Sequence, residues 1–239
     1  MEIVQTGLEG LDKLLKGGIP KGWIIILSGE PGAGKTCLSV GFLVKGIQQG
    51  ENGIYVSFNE SKKELYLTQK AFGYDLKKYE DDGNFRFLDF SYSHALGQGK
   101  LELPPSKGTL DLPELILKMR EPIKSINAQR MVIDPLTIIS LLFDNIREIR
   151  YNVLRLFEII GKFGVTTLAI AERTGTADYT VEEFLASGII RLYNEREGAK
   201  RQRGIEVVKM RGVNHKRGIF PFSITGKGIV ISPNVELPS

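Results

Sequence analysis

Apolar residues along this chain fall into two patterns, short continuous runs and stripes that recur every three or four positions. Continuous runs are typical of strands buried on both faces of a parallel sheet, and stripes are typical of amphipathic helices. The runs predict strands at residues 23–27, 53–58, 84–90, 130–134 and 165–171. Helices are predicted between them, at residues 34–49, 62–72, 112–126 and 146–163.

The rhythm of the pattern changes in the last quarter of the chain. Short runs separated by glycine-containing turns are typical of antiparallel hairpins, and they lie at residues 189–193, 204–210, 218–224 and 228–231. Residues 91–108 are rich in Ser, Gly and Pro, which favours an irregular loop or lid. The whole pattern predicts an α/β fold, a mostly parallel sheet flanked by helices and extended by C-terminal antiparallel strands. No repeat or boundary interrupts it, so we expect residues 1–239 to form one domain.

Composition excludes several classes of protein. The 239 residues are 42% hydrophobic and 25% charged, as in an ordinary globular domain. No apolar stretch reaches the roughly 18 residues of a membrane-spanning helix, and the N-terminus lacks the basic and apolar regions of a signal peptide. The single cysteine, Cys37, excludes an intrachain disulfide. We therefore expect a cytoplasmic protein with no membrane partner.

The net charge of +4 is concentrated in one part of the chain. Between Arg191 and Arg217, nine basic residues stand against three acidic ones. A solvated surface explains such a run, and so does an anionic partner. Charge alone does not decide between them.

Residues 29–36 read GEPGAGKT and match G-x-x-x-x-G-K-[ST] between a predicted strand and a predicted helix. Glycines let backbone N–H groups converge on phosphate oxygens, and the helix N-terminus adds its positive dipole end. Lys35 is expected to reach the β- and γ-phosphates as a catalytic cation, and Thr36 to ligate Mg²⁺. The predicted phosphate cradle comprises Gly29, Glu30, Pro31, Gly32, Ala33, Gly34, Lys35, Thr36 and Cys37.

Three carboxylates follow predicted strands and should meet at the same edge of the sheet as the phosphate cradle. Asp134 is the expected second ligand of Mg²⁺, although an Asp at a strand end also caps turns. Glu60 is the candidate catalytic base, with Asn59 able to orient a water; alternatively, Asn59 caps the helix that follows. Glu172 either senses the nucleotide or pairs with Arg173.

Several segments resemble the KaiC- and RadA-type ATPases of the RecA superfamily. Besides the phosphate cradle, they are GLEGLDKLLKGGIPKG, YVSFNES, MVIDPLT, TTLAIAE, VEEFLASGIIRL and VVKMRGVNHKRGIFPFSITGKGIVI. The resemblance covers nearly the whole chain, which has the length of one KaiC domain. It implies a RecA-like P-loop NTPase core that binds ATP and Mg²⁺ between the subunits of a homo-oligomeric ring, usually a hexamer.

The resemblance also implies catalytic roles for Lys209 and Arg211. In KaiC-like proteins the lysine and arginine of the KMRG segment reach the γ-phosphate bound by the neighbouring subunit. Residues two apart in a strand face the same way, so Lys209 and Arg211 should project together while Val208 and Met210 face the core.

Three functions remain open. Asn59 and Glu60 stand where the family has paired glutamates, which predicts slow hydrolysis suited to a nucleotide-dependent switch that acts on a protein partner. The basic loop that begins at Tyr193 and ends at Gly204 instead favours a RadA-type recombination accessory protein that binds single-stranded DNA. The third alternative is a scaffold that binds ATP to assemble without turning it over.

Overall fold

The computed structural model describes residues 1–91, 112–143, 145–173, 179–198 and 200–237. The helices of this part are α1 Glu9–Leu14, α2 Lys35–Gln48, α3 Lys62–Lys70, α4 Leu76–Asp81, α5 Leu112–Ser125, α6 Ile146–Lys162 and α7 Val181–Leu185, with a 3₁₀ helix at Leu136–Leu142. The strands are β1 Ile3–Val4, β2 Ile19–Pro20, β3 Ile24–Gly29, β4 Gly53–Ser57, β5 Phe85–Asp89, β6 Arg130–Asp134, β7 Thr166–Glu172, β8 Gly188–Glu197, β9 Lys200–Met210, β10 Ile219–Thr225 and β11 Gly228–Ile231.

Nine strands form the main sheet, in the order β11-β10-β9-β8-β3-β7-β6-β4-β5. Neighbouring strands are parallel from β8 to β5 and antiparallel from β8 to β11. β1 and β2 pair separately. The structure therefore confirms the α/β fold, with a mostly parallel sheet flanked by helices and a C-terminal antiparallel extension.

The central strand β3 is buried on both of its faces. Ile25 and Leu27 belong to the hydrophobic layer beneath α2, whereas Ile24 and Ile26 belong to the layer beneath α5 and α6, as the alternation of side chains along a strand requires. Two-sided burial explains the continuous apolar run in the sequence. It also brings the C-terminal end of β3 to the middle of the sheet edge.

The prediction of a basic loop from Tyr193 to Gly204 is wrong, because the described part of this segment is a β-hairpin. β8 continues to Glu197, β9 begins at Lys200, and their pairing runs from Tyr193 opposite Gly204 to Glu197 opposite Lys200. Both faces of this hairpin carry polar side chains, so the hydrophobic alternation that indicates a strand is absent there. β8 also pairs in parallel with β3, and it thus joins the two parts of the sheet.

Several short elements were not predicted, namely β1, β2, α1, α4, α7 and the 3₁₀ helix. Each has seven residues or fewer, too few for a clear apolar stripe. The loop or lid predicted at residues 91–108 lies, apart from Ser91, outside the described residues. Within the described ranges, none of the helices combines the length and the apolar character required for crossing a membrane.

Candidate functional site

The phosphate cradle connects β3 to α2 at the carboxyl edge of the sheet. Gly34 precedes α2 with a φ of 101°, and Gly32 has a φ of 77°, a left-handed backbone that other residues rarely adopt. A Cβ atom at Gly34 would lie 2.8 Å from Ile224 Cδ1. The backbone conformation therefore favours glycine there, and a larger residue would also have to displace the tip of the Ile224 side chain. The loop leads into the N-terminus of a 14-residue helix, where anions bind favourably.

Lys35 is the first residue of α2, and its side chain folds back over the cradle. Its Nζ donates hydrogen bonds to Gly29 O at 2.8 Å and to Glu30 O at 2.9 Å. Burial lowers the pKa of Lys35, and the charges of Glu172 and Asp134 oppose this shift. The ammonium group is thus held at the loop, where it can offset phosphate charge.

Asp134 ends β6 and lies beside Thr36. Thr36 Oγ1 donates a hydrogen bond to Asp134 Oδ2 at 3.3 Å, and the hydroxyl of Tyr55 donates to the same oxygen. Burial raises the pKa of Asp134, while the two hydroxyls and Lys35 lower it. Tyr55 is fully buried in β4, so it fixes the carboxylate from beneath the site.

The donor set at Thr36 and Asp134 fits Mg²⁺. Mg²⁺ prefers oxygen ligands and is usually held by one or two carboxylates together with phosphate oxygens and waters. Among the described residues, no group of three or more His, Cys, Asp or Glu side chains could hold a metal by itself. A metal at this site would therefore need phosphate and water to complete its coordination.

Glu60 follows β4 and faces the same edge of the sheet. The backbone N–H of Glu60 donates to Ser57 Oγ at 3.1 Å, and Ser57 Oγ donates to Glu60 O at 2.6 Å. Burial raises the pKa of Glu60, followed by the charges of Asp134 and Glu64. The alternative that Asn59 caps α3 is wrong, because Ser61 caps it in a reciprocal capping box with Glu64.

These groups line a cleft of about 430 Å³. Asp134, Glu60 and Glu172 make one end of it acidic. The cleft is completed by Asn59 and by four side chains to which sequence reasoning assigned no role at this site: Gln69, Phe72, Arg203 and Ile224. Burial raises the pKa of Cys37, also in the cleft, to about 11, against the opposing charge of Arg203. The lining of the cleft thus combines carboxylates with apolar side chains and with Arg203.

Lys209 and Arg211 do not line this cleft. Lys209 pairs with Ile189, which lies beside Ile26, three residues before the end of β3. At about 3.3 Å per residue, Lys209 therefore lies roughly 10 Å back along the sheet from the phosphate cradle. Neither cation forms an ion pair within the described part of the chain.

Lys209 and Arg211 are nevertheless neighbours. Burial lowers the pKa of Lys209, and the charge of Arg211 lowers it further. A β-bulge between Ile189 and Ile190 leaves Val208 without a partner in β8. Met210 is buried as predicted, but the prediction that Val208 faces the core is wrong, because the bulge turns it to the half-exposed side.

Comparison with known proteins shows which family has a similar sequence. The model of the family described as "ATPase: KaiC" matches residues 4–236. The circadian clock protein KaiC3 of Synechocystis is 35% identical over 98% of this chain, and the chain spans only 46% of that protein's length. A UPF0273 protein of Pyrococcus furiosus is also 35% identical, and here the chain spans 95% of the relative.

A solved structure agrees with these sequence relatives. The crystal structure of a KaiC-like protein from Pyrococcus horikoshii superimposes with a TM-score of 0.82 at 31% sequence identity. The match covers 97% of this chain and 99% of the other. The RecA-like arrangement of the sheet and helices is therefore shared along almost the entire length of both proteins.

Proposed function

The chain belongs to the KaiC ATPase family, and on that premise we propose that it binds Mg²⁺ and ATP and hydrolyses ATP slowly as a nucleotide-dependent switch. The observation that carries this proposal is the convergence of Lys35, Thr36, Asp134 and Glu60 on one cleft beside a glycine-rich loop. The loop and the α2 N-terminus would bind the phosphates. Thr36 and Asp134 would hold Mg²⁺, which when bound would neutralise charge on the β- and γ-phosphates.

Glu60 is the proposed base. Its carboxylate would accept a proton from the water that attacks the γ-phosphate, since it is a half-buried acid of the cleft on which the charge of Asp134 acts. Asn59, exposed at the same edge, would orient that water but cannot take its proton. One base instead of two carboxylates supports slow turnover.

We further propose that ATP lies between copies of the chain in a ring, for which six copies is our expectation. The position of Lys209 and Arg211, away from their own cradle, supports a role at the neighbour's γ-phosphate. Lys209 Nζ lies 3.4 Å from Phe184 O, and Phe184 is 62% exposed. Two neighbouring cations, one of which bonds to the backbone of a residue with an exposed aromatic side chain, suit a surface that contacts another copy.

The experiment compares nucleotide binding and steady-state hydrolysis for the wild-type protein and Lys35→Ala. We expect the variant to lose hydrolysis by about 100-fold, because the charge of Lys35 is removed from the cradle. Lys45→Ala, at the other end of the same helix, is the matched control and should behave as the wild type. Equal rates for Lys35→Ala and the wild type would favour the ATP-binding scaffold instead.

Single-stranded DNA binding is the alternative function, supported by the basic side chains of the β8–β9 hairpin. The hairpin offers little for base stacking, because its Tyr193 is half-buried and donates its hydroxyl to Glu206. Binding through phosphates alone would weaken steeply as salt rises. A gel-shift series at increasing salt tests this alternative, and no shift at low salt would eliminate it.

A further inference from the structure

Residues on both sides of helix α3 and near its C-terminal end line the cleft. Ser61 caps the helix directly after Glu60, and Gln69 and Phe72 line the cleft near the other end of the helix. The eight steps along the chain from Ser61 to Gln69 extend over about 12 Å at 1.5 Å per residue. A nucleotide whose terminal phosphate lies near Glu60 would thus direct its base towards Gln69.

Gln69 has an unusual side chain for a buried position. The residue is 3% exposed, and its Oε1 is enclosed yet accepts no hydrogen bond from any described residue. By contrast, Oε1 of the half-buried Gln129 accepts the N–H of Asn52 at 2.7 Å. Buried polar atoms in folded proteins are normally paired. The missing partner of Gln69 is therefore to be sought in what binds the cleft.

The surroundings of Gln69 suit a flat heterocycle. Phe72, three residues after Gln69, and Ile224 supply apolar surface in the same cleft. The backbone of Gln69 is firmly held, since its carbonyl accepts the N–H groups of both Phe72 and Tyr74, each at 3.1 Å or less. The side chain thus projects from a fixed point, as a group that discriminates between ligands must.

We propose that Gln69 reads the base of the bound nucleotide and selects adenine, a proposal that rests on the function proposed above. Its Oε1 accepts a hydrogen bond from the exocyclic 6-amino group of adenine. Guanine carries a carbonyl oxygen at that position, which would place two acceptors against each other. A site built around such a hydrogen bond rejects a ligand that lacks the donor.

The test combines a change in the protein with a change in the ligand. Calorimetric affinities in magnesium buffer are compared for ATP and purine riboside triphosphate, which lacks the 6-amino group. We expect the wild type to prefer ATP about tenfold. Gln69→Leu should bind the two ligands equally, because the acceptor is gone. Gln48→Leu, the same substitution at an exposed glutamine of α2, should keep the wild-type preference.

The outcomes separate this inference from the function on which it rests. If the wild type binds no triphosphate, the proposed nucleotide function fails. If the wild type binds ATP and its analogue equally, or if Gln69→Leu keeps the full preference for ATP, the role of Gln69 is overturned while nucleotide binding stands. Should Gln69→Leu not fold, Gln69→Met takes its place, because methionine has a similar length and also lacks the acceptor oxygen.

Discussion

One carboxylate oxygen of Glu60, Oε2, is enclosed and accepts no hydrogen bond in the described part of the chain. Burial is the largest cause of its raised pKa. The folded state therefore binds this proton more tightly than the unfolded chain does. The resulting stabilisation is present below the unfolded-state pKa and is lost as the pH rises through the folded-state pKa. At pH values above the folded-state pKa, ionised Glu60 thus lowers the stability of the fold that positions it.

Replacing Glu60 with Gln should therefore raise the melting temperature at pH values above the folded-state pKa, and it should lower hydrolysis by about 100-fold, since the proposed base is lost. The wild-type rate should fall as the pH decreases through the raised pKa of Glu60, because the protonated acid cannot accept a proton. Thermal denaturation and steady-state ATPase assays over a pH series measure both effects. Glu158→Gln, at an exposed position on α6, should leave the rate unchanged. A lower melting temperature for Glu60→Gln would contradict this account.

At the scale of elements, the main strands were predictable because a strand that is buried on both faces has an uninterrupted run of apolar residues, as in β3 and β6. The same runs located the candidate site, since Lys35, Asp134 and Glu60 all follow a buried strand and parallel strands end at one edge. The inner halves of β8 and β9 were predicted as strands, but the outer half of this hairpin could not be predicted, because it has no apolar face. Contacts between distant segments bring further side chains to the cleft, and no local pattern indicates them: Gln69, Phe72, Arg203 and Ile224.

Helix α3 begins immediately after Glu60, so its N-terminal cap should matter for both stability and hydrolysis. Ser61 Oγ accepts the N–H of Glu64, and the N–H of Ser61 donates to the Glu64 carboxylate. Ser61→Ala should lower the free energy of unfolding by about 1 kcal/mol and should also lower the ATPase rate, because the turn that carries Glu60 loses its anchor.

Asn145→Ala is the matched control for the Ser61 substitution. Asn145 caps α6 by accepting the N–H groups of Arg147 and Glu148, and it does not line the cleft. The Asn145→Ala variant should lose about the same free energy of unfolding as Ser61→Ala, with no change in the ATPase rate. Denaturant unfolding and steady-state hydrolysis separate the two effects. Equal rates for both variants would show that the α3 cap does not position Glu60.

At the scale of the whole molecule, the phosphate cradle and the Lys209–Arg211 pair lie on different parts of the surface. If each copy supplies its cations to the next, the contact joins two unlike surfaces and repeats around a ring. Arg211→Ala should then lower hydrolysis by about 10³-fold while isolated subunits still bind nucleotide. Weaker nucleotide binding by the isolated variant would argue that Arg211 acts on its own chain's site.

Mixing two inactive variants tests the same arrangement without relying on a single substitution. Chains with Lys35→Ala have a defective cradle but keep Lys209 and Arg211. Chains with Arg211→Ala have an intact cradle but lack the Arg211 cation. When the two are mixed without nucleotide and then given Mg-ATP, some contacts pair an intact cradle with an intact cation, so activity should partly return. The double variant mixed with Lys35→Ala creates no such contact and should remain inactive. If Arg211 acts within its own chain, every chain in the first mixture carries a defect, and mixing will restore nothing.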